Sequence, residues 1–380
     1  MLQVSIEDFR RRARRRVPRI FFDYAEGGSG RETALSLNTS RLAALRMLPR
    51  GPRDVSRRTT EVQILGRTYS MPLGMAPIGI ANLFWPGTDL AMAHAAREAK
   101  IPQILSSAAS TRIEEIGRVL DGTGWFQLYA STNDEISEAL LSRAERAGFE
   151  VLVLTVDVAL PGRRWRDLRN GFRLPMPMGP RFLAQLAARP AWLAASAGRP
   201  VPKIVNFDDY APSGGAQSLP QFMASQISPE IDLDAVARLR DRWKGPFVVK
   251  GILHPQDALD LAGVGVEGVI VSNHGGRQLD SAPATIDALP AVAEAAGDRL
   301  TVMMDGGIRT GEDIAKALAS GARFVFGGRP FLYAVAATGS AAGAVTLLRD
   351  EFDRAIGQLG CRSPLELDRN LLFRNRHSID

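Results

Sequence analysis

Short apolar segments rich in valine, isoleucine, leucine and phenylalanine recur along the chain, and segments with helical periodicity separate them. Eight of the apolar segments read as buried strands, namely 73–80, 103–107, 125–130, 151–157, 246–252, 268–274, 301–307 and 324–328. Most are followed by amphipathic stretches that begin near a capping or acidic residue, namely 89–99, 134–147, 255–262 and 311–319. Eight strand–helix alternations predict an α/β fold, a closed parallel (β/α)8 barrel.

A doubly wound open sheet is the alternative arrangement of alternating strands and helices. Such a sheet usually has fewer strands and carries a glycine-rich dinucleotide fingerprint directly after its first strand. No such fingerprint follows segment 73–80. The 380 residues also fit one barrel with insertions, which occupies roughly 200 to 400 residues. The pattern therefore favours the single TIM barrel over the open sheet.

Two regions lie outside the alternation. Residues 1–70 precede the barrel as helical and turn-like material, and we expect them to cap it. Residues 171–229 form a long insertion after the fourth strand, rich in proline, glycine, methionine and alanine. Loops of this length are usually lids or disordered segments, and the carboxyl end of a barrel strand lies at the active-site face. We therefore expect 171–229 to be a mobile lid.

Cysteine usage and hydropathy bear on the compartment. Cys361 is the single cysteine, so the sequence predicts neither a disulfide framework nor a thiolate metal cluster, as suits a reducing cytosol. We find no signal peptide and no run of 18 apolar residues. Three histidines, His94, His254 and His377, have no ligand-like spacing, so no metal is expected. The chain is expected to be a cytoplasmic protein.

The net charge of +6 owes much to one arginine cluster near the start of the chain. Its members are Arg10, Arg11, Arg12, Arg14, Arg15 and Arg16. Such a cluster could meet nucleic acid or an anionic membrane surface. No aromatic interleaving or nucleic-acid motif accompanies it, so we expect no nucleic-acid partner and favour a solvated helix face. Association with a membrane surface is the second hypothesis.

Polar and ionisable residues stand at the carboxyl ends of the predicted strands. They are Gln127, Tyr129, Thr155, Asp157, Lys250 and His274. An ionisable group at the end of a buried strand is costly unless it is paired or solvated. A structural ion-pair network explains any one of them as well as a function does, but it explains all of them together less well. These residues therefore predict an active site at one mouth of the barrel.

The last two strands are followed by glycines and arginines. Residues 305–311 read Asp-Gly-Gly-Ile-Arg-Thr-Gly, and residues 327–330 read Gly-Gly-Arg-Pro. Glycine amides and two guanidinium groups suit a phosphate dianion, and barrels commonly bind phosphate after strands seven and eight. The two motifs in register predict a phosphate site.

Segment 272–280 carries the sharpest chemical signal. It places His274 and Arg277 three residues apart on a glycine-containing loop, where one can take a proton and the other can hold a carboxylate. At this point the chain resembles the FMN-dependent enzymes that oxidise 2-hydroxy acids, which include glycolate oxidase, lactate dehydrogenase and mandelate dehydrogenase. The resemblance covers nearly the whole chain, through segments 21–24, 76–79, 105–107, 125–129, 155–157, 162–164 and the two glycine motifs.

The resemblance implies a role for each matching position. His274 would be the base and Asp157 its partner, and Tyr129 would face the substrate hydroxyl. The groups that bind the substrate carboxylate would be Tyr24, Arg164 and Arg277. Lys250 would lie near the N1 and C2-carbonyl side of the flavin, where its charge favours the reduced ring. The remaining FMN-binding positions would be Pro77, Ile78, Gly79, Ser106, Gln127, Thr155, Asp305, Gly307, Arg309, Gly328 and Arg329.

The substrate and the electron acceptor depend on finer features. Gly79 and Ala108 are small, and small residues leave room for a bulky or aromatic substrate side chain, which favours a mandelate-like (S)-2-hydroxy acid. Glycine at position 79 is equally similar to bacterial L-lactate dehydrogenases, so L-lactate is the alternative, and an oxidase that uses O2 is a third. The resemblance also implies a homotetramer. Together with the arginine cluster, the insertion suggests peripheral binding at the inner face of the cytoplasmic membrane and electron transfer to a quinone.

Two functions of other classes compete with this one. A non-catalytic barrel that binds FMN or another phosphorylated ligand would lack the base, whereas His274 is present. A barrel that isomerises or cleaves a sugar phosphate would use Lys250 as a Schiff-base nucleophile. A bound flavin spectrum would exclude that second alternative, and borohydride trapping of a lysine adduct would support it.

Overall fold

A closed ring of parallel strands forms the centre of the molecule. The structure is a computed structural model that describes residues 3–173, 176, 178–210 and 228–373. Within them a short antiparallel hairpin, β1 (Val62–Ile64) and β2 (Arg67–Tyr69), precedes the barrel strands. The barrel strands are β3 (Leu73–Met75), β4 (Ile104–Ser106), β5 (Trp125–Leu128), β6 (Val151–Thr155), β7 (Phe247–Ile252), β8 (Gly268–Val271), β9 (Thr301–Asp305) and β10 (Phe324–Gly327).

The strand order shows that the sheet closes on itself. Each barrel strand from β4 to β10 pairs in parallel with the next along the chain, and β10 pairs with β3. A parallel bridge between Met75 and Gln103 joins the two remaining edges. The prediction of a (β/α)8 barrel is therefore confirmed.

Several strands are shorter than the sequence predicts. The predictions placed Tyr129, Asp157 and His274 at strand ends, but β5 ends at Leu128, β6 at Thr155 and β8 at Val271. These boundaries were wrong because apolar or small residues continue beyond the last ladder hydrogen bond. His274, for example, has a φ of +56°, which no strand accommodates. The three side chains are carried instead by the loops at the carboxyl end of the barrel.

Helices alternate with the strands and surround them. The four predicted amphipathic stretches are helices, and each of their ends lies within two residues of the predicted end. The described helices after β3 are α4 (Ala81–Phe84), α5 (Thr88–Ala99), α6 (Ile113–Leu120), α7 (Asp134–Arg146), α8 (Trp165–Asn170), α9 (Pro180–Ala187) and α10 (Pro190–Ser196) of the insertion, α11 (Leu233–Arg242), α12 (Pro255–Val264), α13 (Thr285–Ala296), α14 (Gly311–Ala319), α15 (Arg329–Thr338) and α16 (Ala342–Gln358). Three-residue 3-10 turns occur at Asp208–Tyr210, Pro364–Glu366 and Arg369–Leu371.

Aromatic side chains fill the amino-terminal end of the barrel. Trp125 and Phe324 are the first residues of β5 and β10, and both are fully buried. Tyr69 lies against both rings, at centroid distances of 6.5 and 5.6 Å, and its hydroxyl accepts a hydrogen bond from Trp125 Nε1 at 3.0 Å. Phe326 packs on Trp125 at 5.3 Å. We call Tyr69, Trp125, Phe324 and Phe326 the barrel floor.

Three helices precede the hairpin: α1 (Ile6–Arg16), α2 (Arg19–Glu26) and α3 (Thr33–Ala44). Helix α1 packs on α15, α2 on α4 and α8, and α3 on α13. The described part of the insertion docks on this region, since Phe182 and Trp192 lie 5.9 and 5.3 Å from the Phe21 ring. Residues 211–227 lie outside the described residues, so the mobile lid stays a prediction.

The arginine cluster lies on α1. Arg10 pairs with Glu26 at 2.6 Å, Arg11 with Asp8 at 2.5 Å, and the Arg16 guanidinium lies 4.5 Å from the Trp85 ring centroid. Arg12, Arg14 and Arg15 are exposed. Among the described residues, no helix combines the length and hydropathy that crossing a bilayer requires.

Candidate active site

A cavity of ≈ 350 Å³ opens at the carboxyl ends of the barrel strands, within the usual size range of small-molecule sites. Most residues that the sequence singled out line it: Tyr24, Pro77, Ile78, Gly79, Ala108, Tyr129, Arg164, Lys250, His274, Arg277, Asp305, Gly307, Arg309, Gly328 and Arg329. Ser106, Gln127, Thr155 and Asp157 are not among the lining residues.

His274 and Asp157 form a hydrogen-bonded pair. His274 Nδ1 lies 2.9 Å from Asp157 Oδ1, although 117 residues separate them in sequence. Gly275 and Gly276, with φ values of +64° and +75°, continue the left-handed turn that His274 begins, which glycine adopts without strain. Because the carboxylate occupies Nδ1, Nε2 is the nitrogen that can accept a proton.

Asp157 remains ionised in this setting. Its burial opposes the charge, but His274 and Lys250 together outweigh burial and lower the pKa of Asp157. The carboxyl group can lie here because Gly251, at a φ of +107°, has no side chain; a Cβ there would lie 2.6 Å from Asp157 Cβ. The strand register shifts between Lys250 and Ile252, at this same glycine. The β7 bulge thus makes room for the partner of His274.

Lys250 connects His274 to the glycine loop after β9. Its ammonium lies 3.4 Å from Asp305 Oδ2 and donates to Ser272 Oγ at 3.0 Å, and the same oxygen accepts the His274 amide at 3.0 Å. Burial acts against the charge, but the carboxylates of Asp305 and Asp157 outweigh it and raise the pKa of Lys250. A Schiff-base nucleophile must be a neutral amine, so this environment disfavours the sugar-phosphate alternative.

Two buried polar atoms at the ends of β5 and β6 have no partner. Ser106 Oγ donates to Gln127 Oε1 at 2.8 Å, which fixes the Gln127 amide. Gln127 Nε2 and Thr155 Oγ1 are buried and make no hydrogen bond within the described residues. An unpaired buried polar group costs about 1–3 kcal/mol. This donor and this hydroxyl therefore fit the polar edge of a bound ring such as that of FMN.

A cluster of two arginines and a tyrosine lines the same cavity as His274. The guanidinium carbons of Arg164 and Arg277 each lie 5.1 Å from the Tyr24 ring centroid, and Phe172 stacks on that ring at 4.3 Å. Arg277 donates to the carbonyl oxygens of Tyr24 and Gly27 at 2.7 and 2.9 Å. Burial and the charge of Arg164 lower the pKa of Arg277 to about 10. Two neighbouring cations of this kind favour an anionic ligand such as a carboxylate.

The residues predicted to bind phosphate offer either backbone or a side chain to the cavity. Gly307, with a φ of +89°, and Gly328 line the cavity with backbone, and Gly328 precedes the first turn of α15. Arg329 donates one hydrogen bond each from Nε, Nη1 and Nη2 to the carbonyls of Ala25, Gly275 and Gly27, all at 3.0 Å. A guanidinium has five donors, so two are left for a ligand. Arg329 thus also ties α2 to the His274 loop, which the sequence did not predict.

Sequence reasoning missed residues that act through tertiary contacts. Ser272 was read as part of a motif but not as the shared acceptor of Lys250 and His274. Ile204 comes from the insertion and lines the cavity. The next residues hold it there, because Val205 donates to the Ala109 carbonyl at 3.3 Å and buried Asn206 accepts from Ile113 and Arg143. An isolated isoleucine in a proline-rich stretch was the available signal.

Metal binding finds no support in the described residues, where no group of three or more His, Cys, Asp or Glu side chains could hold an ion. His94 and His254 do not line the cavity, and His377 lies outside the described residues.

Comparison with known proteins identifies the family. Residues 13–374 match the model of the FMN-dependent dehydrogenase family, so the chain belongs to it. It is 37% identical to an L-lactate dehydrogenase of Caulobacter sp. (strain K31), over 98% of this chain and 99% of the relative. It is also 37% identical to the (S)-mandelate dehydrogenase of Pseudomonas putida, over 94% of this chain and 90% of the relative.

Solved structures agree with this assignment. A crystal structure described as the monotopic membrane protein (S)-mandelate dehydrogenase has a TM-score of 0.93 and 36% identity, over 99% of this chain and 100% of that one. A mandelate oxidase with benzoyl-formic acid has a TM-score of 0.83 and 36% identity, over 98% of both chains. The protein is therefore an FMN-dependent oxidoreductase of the 2-hydroxy acid dehydrogenase family, and the predictions of family, enzyme class and cofactor are confirmed.

Proposed function

We propose that this enzyme oxidises an (S)-2-hydroxy acid with a bulky, mandelate-like side chain to the 2-oxo acid. The observation that carries the proposal is the arrangement around one cavity. His274 lines the same cavity as Arg164 and Arg277. Asp157 lies behind it, with Oδ1 2.9 Å from His274 Nδ1. A base beside a carboxylate-binding cluster is what abstraction of a proton from a 2-hydroxy acid requires.

The protein groups bind the substrate and move its proton. Arg164 and Arg277 bind the carboxylate, and the Tyr24 hydroxyl adds a donor. Nε2 of His274 accepts the proton, while Asp157 holds Nδ1 and stabilises the imidazolium. Burial raises the pKa of Tyr129, so its hydroxyl stays protonated and donates to the substrate oxygen. Bound FMN supplies the acceptor for the two electrons of the oxidation.

We assign the FMN contacts on the same basis. The main chain of Pro77, Ile78 and Gly79 borders the cavity, and the unpaired atoms of Gln127 and Thr155 suit the ring. The charge of Lys250 suits the electron-rich side of the ring. We assign binding of the ribityl and phosphate groups to residues at or after the ends of β9 and β10, namely Asp305, Gly307, Arg309, Gly328 and Arg329. Ser106 acts by fixing Gln127.

The substrate side chain is assigned from the smallest residues of the wall. A Cβ on Gly79 would lie 3.4 Å from Ala108 Cβ, in van der Waals contact, so a larger residue at either position would take up space in this corner of the cavity. Apolar Ile204 and Phe84 also line the cavity, which suits a phenyl group better than a methyl group. L-lactate is the second candidate, because relatives named L-lactate dehydrogenase are as similar as the one named (S)-mandelate dehydrogenase.

Anaerobic stopped-flow with (S)-mandelate and, separately, (S)-lactate tests the substrate. Flavin absorbance near ~450 nm reports reduction of the cofactor. We expect rapid bleaching by mandelate and slow bleaching by lactate. The reverse result would make the enzyme a lactate dehydrogenase, and a flavin that neither acid reduces would overturn the proposed chemistry.

We assign a quinone-type acceptor at the membrane on the basis of an exposed apolar surface. Among the described residues between 160 and 201, the exposed large apolar side chains are Leu160, Trp165, Leu168, Met178, Leu183, Leu193 and Val201. Helix α10 of this segment contacts α1, which carries exposed Arg12, Arg14 and Arg15. Apolar side chains beside arginines suit the interface of an anionic bilayer. The related mandelate dehydrogenase described as monotopic supports the same location.

Fractionation and reoxidation test this assignment. The untagged enzyme should sediment with membranes at low salt and be released by high salt, because part of the attraction is electrostatic. The reduced enzyme should pass electrons to a short-chain quinone faster than to O2. Recovery entirely in the supernatant at low salt would exclude the membrane location, and faster reaction with O2 would favour the oxidase alternative. We also expect a homotetramer, which sedimentation equilibrium would detect.

A further inference from the structure

Asn38 of α3 is buried, with 2% of its surface exposed, and it reaches across to the loop that carries the base. Its side chain and that of Asn273 exchange two hydrogen bonds, Asn38 Nδ2 to Asn273 Oδ1 at 2.8 Å and Asn273 Nδ2 to Asn38 Oδ1 at 2.9 Å. Asn273 directly precedes His274, and its Oδ1 also accepts the Gly276 amide at 3.1 Å. The amide pair therefore grips the turn that orients His274.

The same residue lies against the glycine loop after β9. A Cβ on Gly306 would lie 3.1 Å from Asn38 Nδ2, and one on Gly307 would collide with the Asn38 carbonyl oxygen. Asn38 Oδ1 also accepts the Thr285 amide at 3.2 Å, and Thr285 Oγ1 contacts the Gly306 carbonyl at 3.5 Å. Asn38 thus lies against the predicted phosphate loop without lining the cavity.

These contacts meet at one neutral side chain. Asn38 accepts two hydrogen bonds and donates one, and Asn273 uses both its oxygen and its nitrogen twice. Buried polar groups satisfied in this way hold one geometry, because every alternative leaves a donor or an acceptor unpaired. The Gly306–Gly307 loop and Asn273, which precedes His274, therefore both lie against Asn38.

We propose that Asn38 is a positioning residue that couples FMN phosphate binding to the placement of His274. The inference rests on the proposed roles of His274 and of the loop 305–309. Binding of the phosphate fixes the glycine loop, the glycine loop fixes Asn38, and the amide pair fixes the His274 turn. Loss of Asn38 should therefore weaken FMN binding and slow proton abstraction together, although Asn38 lines no part of the cavity.

The test uses Asn38→Ala, which is uncharged and loses all side-chain contacts, and Asn38→Asp, which keeps the shape but replaces the donor to Asn273 Oδ1 with a negatively charged acceptor. FMN affinity is measured by quenching of flavin fluorescence as the apoprotein is titrated. The rate of flavin reduction by substrate is then measured with FMN at saturation. We expect the Kd for FMN to rise and the reduction rate to fall, each by about tenfold or more. The acidic limb of kcat/KM against pH should move as well.

Two control variants separate coupling from general destabilisation. Thr39→Ala alters the next residue of α3, whose hydroxyl contacts only the Ser36 carbonyl among the described residues, and should change neither quantity. Val345→Ala creates a buried cavity in α16, which lines no part of the site, and should lower the unfolding temperature without changing the Kd or the reduction rate.

The outcomes decide the inference separately from the proposed function. If the wild-type flavin is not reduced by any 2-hydroxy acid, the proposed function fails. If the wild type is active but an Asn38 variant changes only the Kd for FMN or only the rate of flavin reduction, the coupling is wrong. The coupling is also wrong if an Asn38 variant and Val345→Ala have the same unfolding temperature, the same Kd and the same reduction rate. Should Asn38→Ala not fold, Asn38→Ser, which is also uncharged, takes its place.

Discussion

The two ends of the barrel are built from the same eight strands but solve opposite problems. At the barrel floor, Tyr69, Trp125, Phe324 and Phe326 pack ring against ring, and the indole nitrogen of Trp125 is satisfied by the Tyr69 hydroxyl. At the mouth, buried Gln127 Nε2 and Thr155 Oγ1 have no partner within the described residues, and two arginines each lie 5.1 Å from the Tyr24 ring centroid. The four floor rings pack on one another, whereas the unpaired atoms and the arginines at the mouth suit ligands.

The difference shows where stability and function are located. Apolar burial at the floor contributes to folding whether or not a ligand is present. The unpaired polar atoms and like charges at the mouth reduce the stability of the apoprotein, and a flavin with an anionic substrate offsets that reduction. Changes at the floor should therefore affect the free energy of unfolding, and changes at the mouth should affect binding and rate.

Asp157→Asn should have the largest effect on the reaction. The amide cannot stabilise the imidazolium, so flavin reduction should slow by about 10²–10⁴-fold. Because the imidazolium loses its anionic partner, the acidic limb of kcat/KM against pH should move to lower pH. Stopped-flow across pH 5–9 measures both. An unchanged rate would contradict the role of Asp157.

The same variant makes a prediction about stability. The folded state lowers the pKa of Asp157, so its carboxylate stabilises the native chain above its unfolded pKa of about 3.9, and this contribution is lost as the pH falls. The difference in free energy of unfolding between wild type and Asp157→Asn should therefore shrink below about pH 4. A difference that grows on acidification would show that the carboxylate is not stabilising.

Phe324→Ala tests the floor. Removing a fully buried ring should lower the free energy of unfolding by about 3–5 kcal/mol, through lost burial and the cavity left behind. Urea unfolding of the holoenzyme measures this loss. The reduction rate of the fraction that remains folded should match the wild type. A slowed reduction with little loss of stability would break the separation between floor and mouth.

A matched pair on β6 sharpens the comparison. Thr155→Val removes the unpaired hydroxyl at the mouth, so the apoprotein should gain about 1–3 kcal/mol while FMN binding weakens by about tenfold. Val153→Thr, two residues earlier in the apolar barrel interior, should cost about 1–3 kcal/mol without affecting FMN affinity. Thermal unfolding of apoprotein and FMN titration measure both. Loss of stability in Thr155→Val would mean that the hydroxyl has a structural partner.

Ile204→Ala should have the smallest effect, confined to specificity. The variant removes apolar contact from the cavity wall, so kcat/KM for mandelate should fall by about tenfold while lactate, with only a methyl group, changes little. Val205→Ala, the neighbour that does not line the cavity, is the control. Equal losses for both substrates would show that Ile204 supports the fold rather than selecting the side chain.

Many of the residues that line the cavity were predictable from the sequence because they belong to short motifs near strand ends. His274 and Arg277 share one loop, and the glycines of 305–311 and 327–330 follow two adjacent strands. Strand ends were less readable, since His274 lies in a segment that looks like a strand until its φ of +56° is seen. Ile204 was missed because its place in the cavity depends on Asn206 and Arg143, far from the barrel motifs.

Local chemistry is thus what the sequence by itself determined: eight apolar segments, their alternation with helices, and the residue types that a base, a carboxylate site and a phosphate site need. These features depend on composition and spacing within a few residues. The tertiary structure decided which distant groups meet: Asp157 with His274, Asn38 with Asn273, and Arg329 with the carbonyls of α2 and of the His274 loop. Such pairings depend on how the ring of strands closes and on which loops come into contact. The spacing of residues along the sequence does not reveal how far apart these residues lie in space.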